Sequence, residues 1–323
     1  MEKRVKRTGL VSMMVLVFVT FTFLTADAQD FPTKPVTLVN PGGPGGSHDL
    51  TARAVTSVSA DYLGQPIIVK VMVGGGGSIG SEYAAKSPPD GYTLCWGGPG
   101  WSTTLPAVEG TSRGPNDFEA VCRVNYSPGI ILSRPDRPYK TLKETIDWAK
   151  ANPGKLVIGT TGPWGGGDLA WKAIIKQTGI SIKIVPYDGA ESLMALLGGH
   201  IDIAVYPSAP CLPHVKAKRL IALAVIDDKP HKEFPGVQTA KDAGVDPPYR
   251  MWRGALAPKG TPRPIIDKLA AAFKKMCEDK SVIQMIKSFG DDIPLQYLGP
   301  DEFAKVWREE YETHKEIGKF FKK

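Results

Sequence analysis

PVTLVNPGGPGGSHDLTAR, residues 35–53, is the stretch whose reading decides the fold. Val36 to Asn40 is an apolar run that reads as a buried strand, and the proline and glycine residues after it read as a loop. From Asp49 to about Leu63, Ala52, Val55 and Val58 or Ser59 recur at helical spacing. The cycle repeats at once: a strand is expected over 67–73, a loop at glycines 74–77 and a short helix over 79–86. A PPDG turn at 88–91 then leads into a further strand over 92–96. Successive βα units of this kind predict a largely parallel sheet covered by helices on both faces.

Working outward, the alternation resumes at 130–133 and continues through 201–205, which predicts a second sheet. After an apolar strand over 220–226 comes a polar segment rich in Lys, Pro and Asp that runs to Pro248, where the chain is read as changing lobes. An apolar strand over 251–257 and three helices close the sequence, the first opening at Thr261-Pro262. A chain of 323 residues exceeds the length at which one core usually splits in two. With 42% hydrophobic residues and 4 cysteines it is neither disordered nor a disulfide-stapled miniprotein.

The first residues follow the pattern of an export signal. Lys3, Arg4, Lys6 and Arg7 precede an uncharged run from Leu10 to Leu24, and Ala26-Asp27-Ala28 supplies the small-x-small site, so cleavage is expected after Ala28. The run is shorter than the roughly 20 residues that span a bilayer. No cysteine stands near that site to accept a lipid, so a free periplasmic protein is expected. Basic residues of the closing segment alternate with Glu309, Glu310, Glu312 and Glu316, the mark of a solvated helix face and not of a nucleic-acid stripe. Cys95, Cys122, Cys211 and Cys277 form no CxxC and no histidine pair has metal spacing, so neither metal nor cofactor is expected. Cys95 and Cys122 both lie in strand-like runs, either bridged or as two buried thiols.

The glycines are concentrated where strands end. GGPGGSHD (42–49), GGGGSIG (74–80) and TTGPWGGGD (160–168) each sit between a strand and a helix, where a doubly wound sheet binds ligands. Glycine allows positive φ and close backbone approach, and a helix N-terminus adds unpaired N–H donors, so each loop can cradle a carboxylate or phosphate. Two enzyme patterns overlap the second loop. Gly75, Gly77 and Gly80 fit GxGxxG, but after the second strand and in an exported chain. Gly76 to Gly80 fits GxSxG around Ser78, with Asp202 and His214 as acid and base of an alternative exported hydrolase. Trp101, Trp164, Tyr187 and Tyr206 lie on or beside these loops; each tryptophan is either a lobe-interface residue or a ligand wall.

Taken together, residues 35–53, LGQPIIVKVMVGGGGSIGSEYAAKSPPDGYTL (63–94), IVPYDGAESLMALLGGHIDIAV (184–205), LPHVKAKRLIALAV (212–225) and APKGTPRPIIDKL (257–269) resemble the extracytoplasmic solute receptors of tripartite tricarboxylate transporters, the Bug family. The resemblance spans residues 31–323 and rests on several motifs in the family's order. It implies an α/β, type II periplasmic binding protein: two doubly wound lobes joined by two crossover strands, with residues 29–125 plus 250–323 in one lobe and 126–249 in the other. It also implies a monomeric, non-enzymatic receptor that holds a small organic carboxylate and delivers it to membrane carrier subunits; a periplasmic sensor binding the same solute is the alternative. Residue by residue, Gly45, Gly46 and Asp49 match the family's first loop, Gly75 to Gly77 and Ser78 the second, Gly162 the third, Pro186, Tyr187 and Gly189 the fourth, and Asp202 the strand after the LLGG turn. The ligand contacts expected on or beside these loops are Gly45, Gly46, Ser47, His48, Gly76, Gly77, Ser78, Trp101, Thr161, Gly162, Trp164, Gly165, Tyr187 and Tyr206. Asp49 is expected to cap its helix and Arg53 to be a structural ion-pair partner and not a ligand contact. The sequence departs from the family at His48, Trp101, Trp164, Gly165, Gly166 and Asp188, which suggests a flat carboxylate held between the two tryptophans.

Overall fold

The computed structural model describes residues 31–160, 164–187, 191–248, 250–288 and 296–322. The export signal with its cleavage site, and Thr161, Gly162, Asp188 and Gly189, lie outside the described residues. Among those described, no helix is long and apolar enough to cross a membrane.

Strand β1 (Val36–Asn40) pairs in parallel with β2 (Ile67–Val71) and β3 (Thr93–Gly97). Helices α1 (Ser47–Thr56), α2 (Ser59–Leu63) and α3 (Ser78–Ala85) connect them. The single helix expected over 49–63 is therefore two. Ser57 Oγ donates to Ala54 O at 2.8 Å, and Val58 leaves the helical region at φ −106° and ψ 14°. A short α4 (Leu105–Val108) leads to β4 (Phe118–Ser133), sixteen residues long and buried for most of its length.

β4 joins two sheets. Phe118 to Pro128 pairs with β9 (Arg250–Pro258), and Gly129 to Ser133 passes between β7 (Ile203–Pro207) and β8 (Ile221–Ile226). Pro128, which has no N–H, stands where the ladder changes partners and one donor fewer is tolerated. The first sheet runs β2-β1-β3-β9-β4. The second continues through β7 to β5 (Val157–Thr160) and β6 (Lys183–Pro186), with β8 on the other side of β4. Because β9 and β4 enter their sheets from the opposite lobe, they run antiparallel to their neighbours, and the expected parallel sheets are mixed. Buried Arg123 and Asn125 interrupt the apolar pattern of β4, so the strand-like run at Cys122 and the strand over 130–133 were not read as one continuous strand.

In the second half, α5 (Leu142–Ala151), α6 (Gly166–Thr178) and α7 (Glu191–Gly198) cover the strands. So does α8 (Ser208–Lys216), which contains Pro210 and Pro213 and had no element assigned to it from sequence. α9 (Arg263–Glu278), α10 (Lys280–Ser288) and α11 (Pro300–Phe321) return to the first sheet. Each sheet is packed on both faces. Phe273, Leu269 and Trp96 fill one side of the first, and Trp252, Phe303 and Trp307 the other; separate clusters around Trp171 and Leu196 flank the second.

All four cysteines are free and buried. Cys95 pairs with Leu256 and Cys122 with Ala255, so β9 lies between them. Two interstrand steps of about 4.8 Å exceed the roughly 7 Å limit for a bridge, which settles the open alternative as two thiols.

Candidate functional site

The first glycine loop is held by its own polar ends. Asn40 Oδ1 accepts the Gly42 N–H at 3.0 Å, and Asp49 Oδ2 accepts the Gly45 N–H at 2.9 Å. Arg53 Nε binds both carboxylate oxygens of Asp49 at 3.1 Å, the pairing expected from sequence. Burial pushes the Asp49 carboxyl up, but the Arg53 and Gly45 hydrogen bonds outweigh it and hold the group below its ordinary value.

The second loop, Gly74 to Gly77, takes four successive positive φ angles of 129°, 56°, 65° and 97°. Such a path is open only to glycine. The third follows β3: Gly100 to Thr104 forms a π-helical turn whose Trp101 donates Nε1 to Trp96 O at 3.1 Å. The Trp101 ring meets His48 edge-on at 4.8 Å. It also lies so close that a Cβ at Gly77 would stand 2.8 Å from Trp101 Cβ, and one at Gly98 2.9 Å from its ring. Trp101 therefore ties the three first-lobe loops together. α11 locks this turn from behind, since Trp307 Nε1 donates to Ser102 O and Thr103 Oγ1, both at 3.1 Å, and His314 Nδ1 lies 3.1 Å from Thr104 Oγ1.

Beneath the first loop lies a residue that the sequence reading missed. Arg253 on β9 is 1% exposed. Its Nη2 donates to Ser47 Oγ at 3.0 Å and its Nη1 reaches Asn125 Oδ1 at 3.4 Å. A single cation inside the apolar strand MWRGALA was the available signal. Burial, with the Arg253 charge added, brings the His48 imidazole down to about 3, so it is neutral. Trp96 Nε1 donates to His48 O at 3.0 Å and fixes the start of α1 on β3.

The second lobe repeats the first loop's device. GGSHDLTAR (45–53) and WGGGDLAWK (164–172) align without a gap. As Gly45 donates to Asp49, Trp164 N donates to Asp168 Oδ2 at 2.8 Å. As Asp49 pairs with Arg53, Asp168 pairs with Lys172. Trp164 adopts φ 59° where Gly45 adopts 73°, an uncommon conformation for a bulky side chain. Lys172 Nζ sits 4.3 Å over its ring, which also packs with Phe321, Ile317, Leu169 and Ala173. These contacts join α6 to α11 and place Trp164 at the lobe interface. Trp101 and Trp164 thus engage different sets of residues.

Of the other candidates, Tyr187 donates its N–H to Thr160 O at 2.8 Å and packs on the second-lobe core. Tyr206 is buried, its hydroxyl 2.8 Å from Ser192 Oγ. The hydrolase constellation is not assembled. Ser78 begins α3 beside the first sheet, whereas Asp202 pairs with Arg137 at 2.7 Å and His214 lies on α8 beside the second.

Helices α1, α3 and α6 start at Gly46, Gly77 and Gly165 with no side-chain cap. At α3 the glycine turn itself takes the first donors, Ser78 N–H on Gly75 O and Ile79 N–H on Gly74 O, whereas the first N–H groups of α1 and α6 stay available to a ligand. α5, away from the loops, is capped by Thr141, which accepts the Glu144 N–H at 3.2 Å. Pro99 of the first lobe and Gly166 of the second line one small cavity, so the two sets of loops face each other.

That cavity is closed at its base by Glu310, which accepts Trp252 Nε1 at 2.7 Å. Burial pushes its carboxyl from 4.5 up to about 7, against the Trp252 hydrogen bond and the Arg250 and Arg123 charges. The unfolded chain releases this proton near 4.5 and the folded protein near 7, so stability falls as pH rises through that window. Glu310→Gln keeps an acceptor for Trp252. It is expected to be about 1–3 kcal/mol more stable than the parent at about pH 8 and equal to it near pH 4. Urea denaturation at both pH values measures this; equal stabilities at the higher pH would refute it.

Residues 51–319 match the family described as the tripartite tricarboxylate transporter family receptor. The UPF0065 protein in the TAR-I ttuE-ttuC' intergenic region of Agrobacterium vitis is 33% identical over 295 residues, covering 90% of this chain and 85% of that one. Among solved structures, a TctC solute binding protein from Polaromonas superposes with a TM-score of 0.80 at 28% identity, over 89% of this chain and 99% of that one. MatC from Rhodopseudomonas palustris with bound malate superposes at 0.72 and 27%, over 89% and 100%.

Proposed function

Since this chain belongs to the tripartite tricarboxylate transporter receptor family, we propose that it captures a small aliphatic dicarboxylate between its lobes and delivers it, in the periplasm, to carrier subunits in the membrane. The lobes are residues 29–125 with 250–323, and 126–249. The observation that carries this reading is the pair of uncapped, glycine-started helices α1 and α6 at strand ends, built on the same Asp-held loop in opposite lobes. One carboxylate sits at the first-lobe loops over Ser47 and the α1 N-terminus. The other sits at the α6 N-terminus, where Gly165 and Gly166 offer backbone N–H groups and no hydroxyl. Malate in a structural neighbour supports an aliphatic ligand. The separate engagement of the two tryptophans removes the reason for preferring a flat one.

Closure excludes water from this cradle and completes it from both sides, so affinity and the closed shape arise together. No group is required to form or break a bond. A thermal-shift panel of the mature chain with mono-, di- and tricarboxylates, aromatic acids and amino acids tests the reading. A cognate dicarboxylate at a hundredfold over its Kd stabilises by about 2.7 kcal/mol, a shift of several degrees. Silence from every dicarboxylate after unfolding and refolding of the protein, or a response confined to aromatic acids, would overturn it. Uptake by carrier-containing vesicles only when the loaded receptor is present would test delivery.

A further inference from the structure

On the face of β4 and β9 that α11 covers, away from Ser47, lies a cavity of about 260 Å³. Both crossover strands line it, through Arg123 and Arg250. α11 contributes Val306 and Glu309, and the segment returning from the second sheet contributes Asp227.

Arg123 is 8% exposed. Its guanidinium lies over the Tyr126 ring at 4.8 Å, and its buried Nε has no hydrogen-bond partner. Among the described residues no carboxylate pairs with it. Asp227 and Glu310 favour its charge from a distance, but neither comes within ion-pair reach, and a buried cation with no directly bonded anion is costly. The nearby acids are otherwise engaged: Asp228 binds Lys241 at 2.6 Å and Arg250 at 3.0 Å, and Glu310 takes the Trp252 N–H. Among the described residues Asp227 accepts the Tyr126 hydroxyl and the Asp228 N–H and acts on Arg123 through space, and neither it nor Glu309 lies within ion-pair distance of a cation.

A simple anion that satisfied Arg123 would face these carboxylates, and a simple cation would face Arg123. A ligand with both charges meets both needs. We propose that this cavity, which adjoins the small interlobe cavity through Pro248, Arg250 and Glu310 but lies away from the glycine loops, is a second binding site for a small zwitterion. Its carboxylate pairs with Arg123, its ammonium points toward Asp227 and Glu309, and its short aliphatic body lies against Trp252 and Val306.

β-Alanine, propionate and propylamine are the probes, added singly to the whole exported chain in thermal-shift and calorimetric titrations. β-Alanine raises the melting temperature; the other two do not at the same concentration. Arg123→Met weakens β-alanine binding at least about tenfold through the lost charged hydrogen bonds. Val306, on the partly exposed face of α11, becomes Trp in a second variant that fills the cavity without touching a charge and abolishes the response. Both variants keep the parent's response to malate, which reads the cleft alone. An equal response to propionate, a β-alanine response surviving Val306→Trp, or none in the parent overturns the proposal. Absence of a malate response in the parent would count against the cleft reading and not against this one.

Discussion

Gly77→Val is expected to destabilise the protein by about 2–5 kcal/mol and to abolish carboxylate binding. Two costs add. Gly77 has φ 97°, where a β-branched residue is strained by about 1–2 kcal/mol. Its Cβ would stand 2.8 Å from Trp101 Cβ, an overlap that costs a further 1–3 kcal/mol or so because Trp101 cannot retreat. The Trp101 ring is held by Trp96 O on one side and by His48 on another, and its turn is anchored to α11 by Trp307. Displacing it moves all three first-lobe loops, so affinity falls with stability. Urea denaturation and calorimetric titration measure the two effects. A loss of stability below about 1 kcal/mol would mean that the second loop yields, and that Trp101 is not the rigid centre described above.

Arg253→Met is expected to lower affinity for the cognate carboxylate by about 10–100-fold while the protein still folds, at a cost of about 2–4 kcal/mol. The guanidinium spans two strands and a helix start, linking Asn125 on β4 to Ser47 on α1. Each lost hydrogen bond to a charged group is worth about 1.5–3 kcal/mol, and Asn125, fully buried, keeps a stranded oxygen. Methionine matches much of the volume, so the change isolates charge and hydrogen bonding from cavity formation. Arg253→Lys should recover little of the affinity, because an ammonium lacks the fork that reaches both partners. Full affinity in Arg253→Met, with stability lost, would make this residue a strut of the hinge only.

How much was legible is clearest at particular residues. The strand–glycine–helix units at 36–56 and 67–85 could be read directly, because a buried parallel strand is a continuous apolar run and a ligand loop at its end needs glycine. Arg53 was legible as an ion-pair partner because Asp49 lies four residues away, but Asp49 does not cap its helix as expected: α1 starts at Gly46 with no side-chain cap, and Asp49 instead accepts the Gly45 N–H of the loop. β4 was legible only in pieces, at Cys122 and over 130–133, because its polar residues Arg123, Asn125 and Ser127 are buried by pairing with distant strands and disturb the periodicity from which one long strand is read. α8 was lost behind two prolines. Arg253 was visible as a residue but not as part of the site, since Ser47 lies 206 positions away. The repeat of GGSHDLTAR in WGGGDLAWK was present in the letters, yet only the matching Asp–N–H bonds of the two loops give it meaning.

The sequence by itself determined the family, the alternation of α and β, and the glycine loops, because each is written in residues that are neighbours along the chain. Tertiary structure alone decided that β9 separates Cys95 from Cys122, that Trp101 serves as a hub while Trp164 joins α6 to α11, and that Arg253 lies beneath the first loop. Those outcomes depend on which strands and helices become neighbours in space. A periodic pattern states that a face will be buried; the partner that buries it is chosen by the crossing of β4 and β9 between the two sheets.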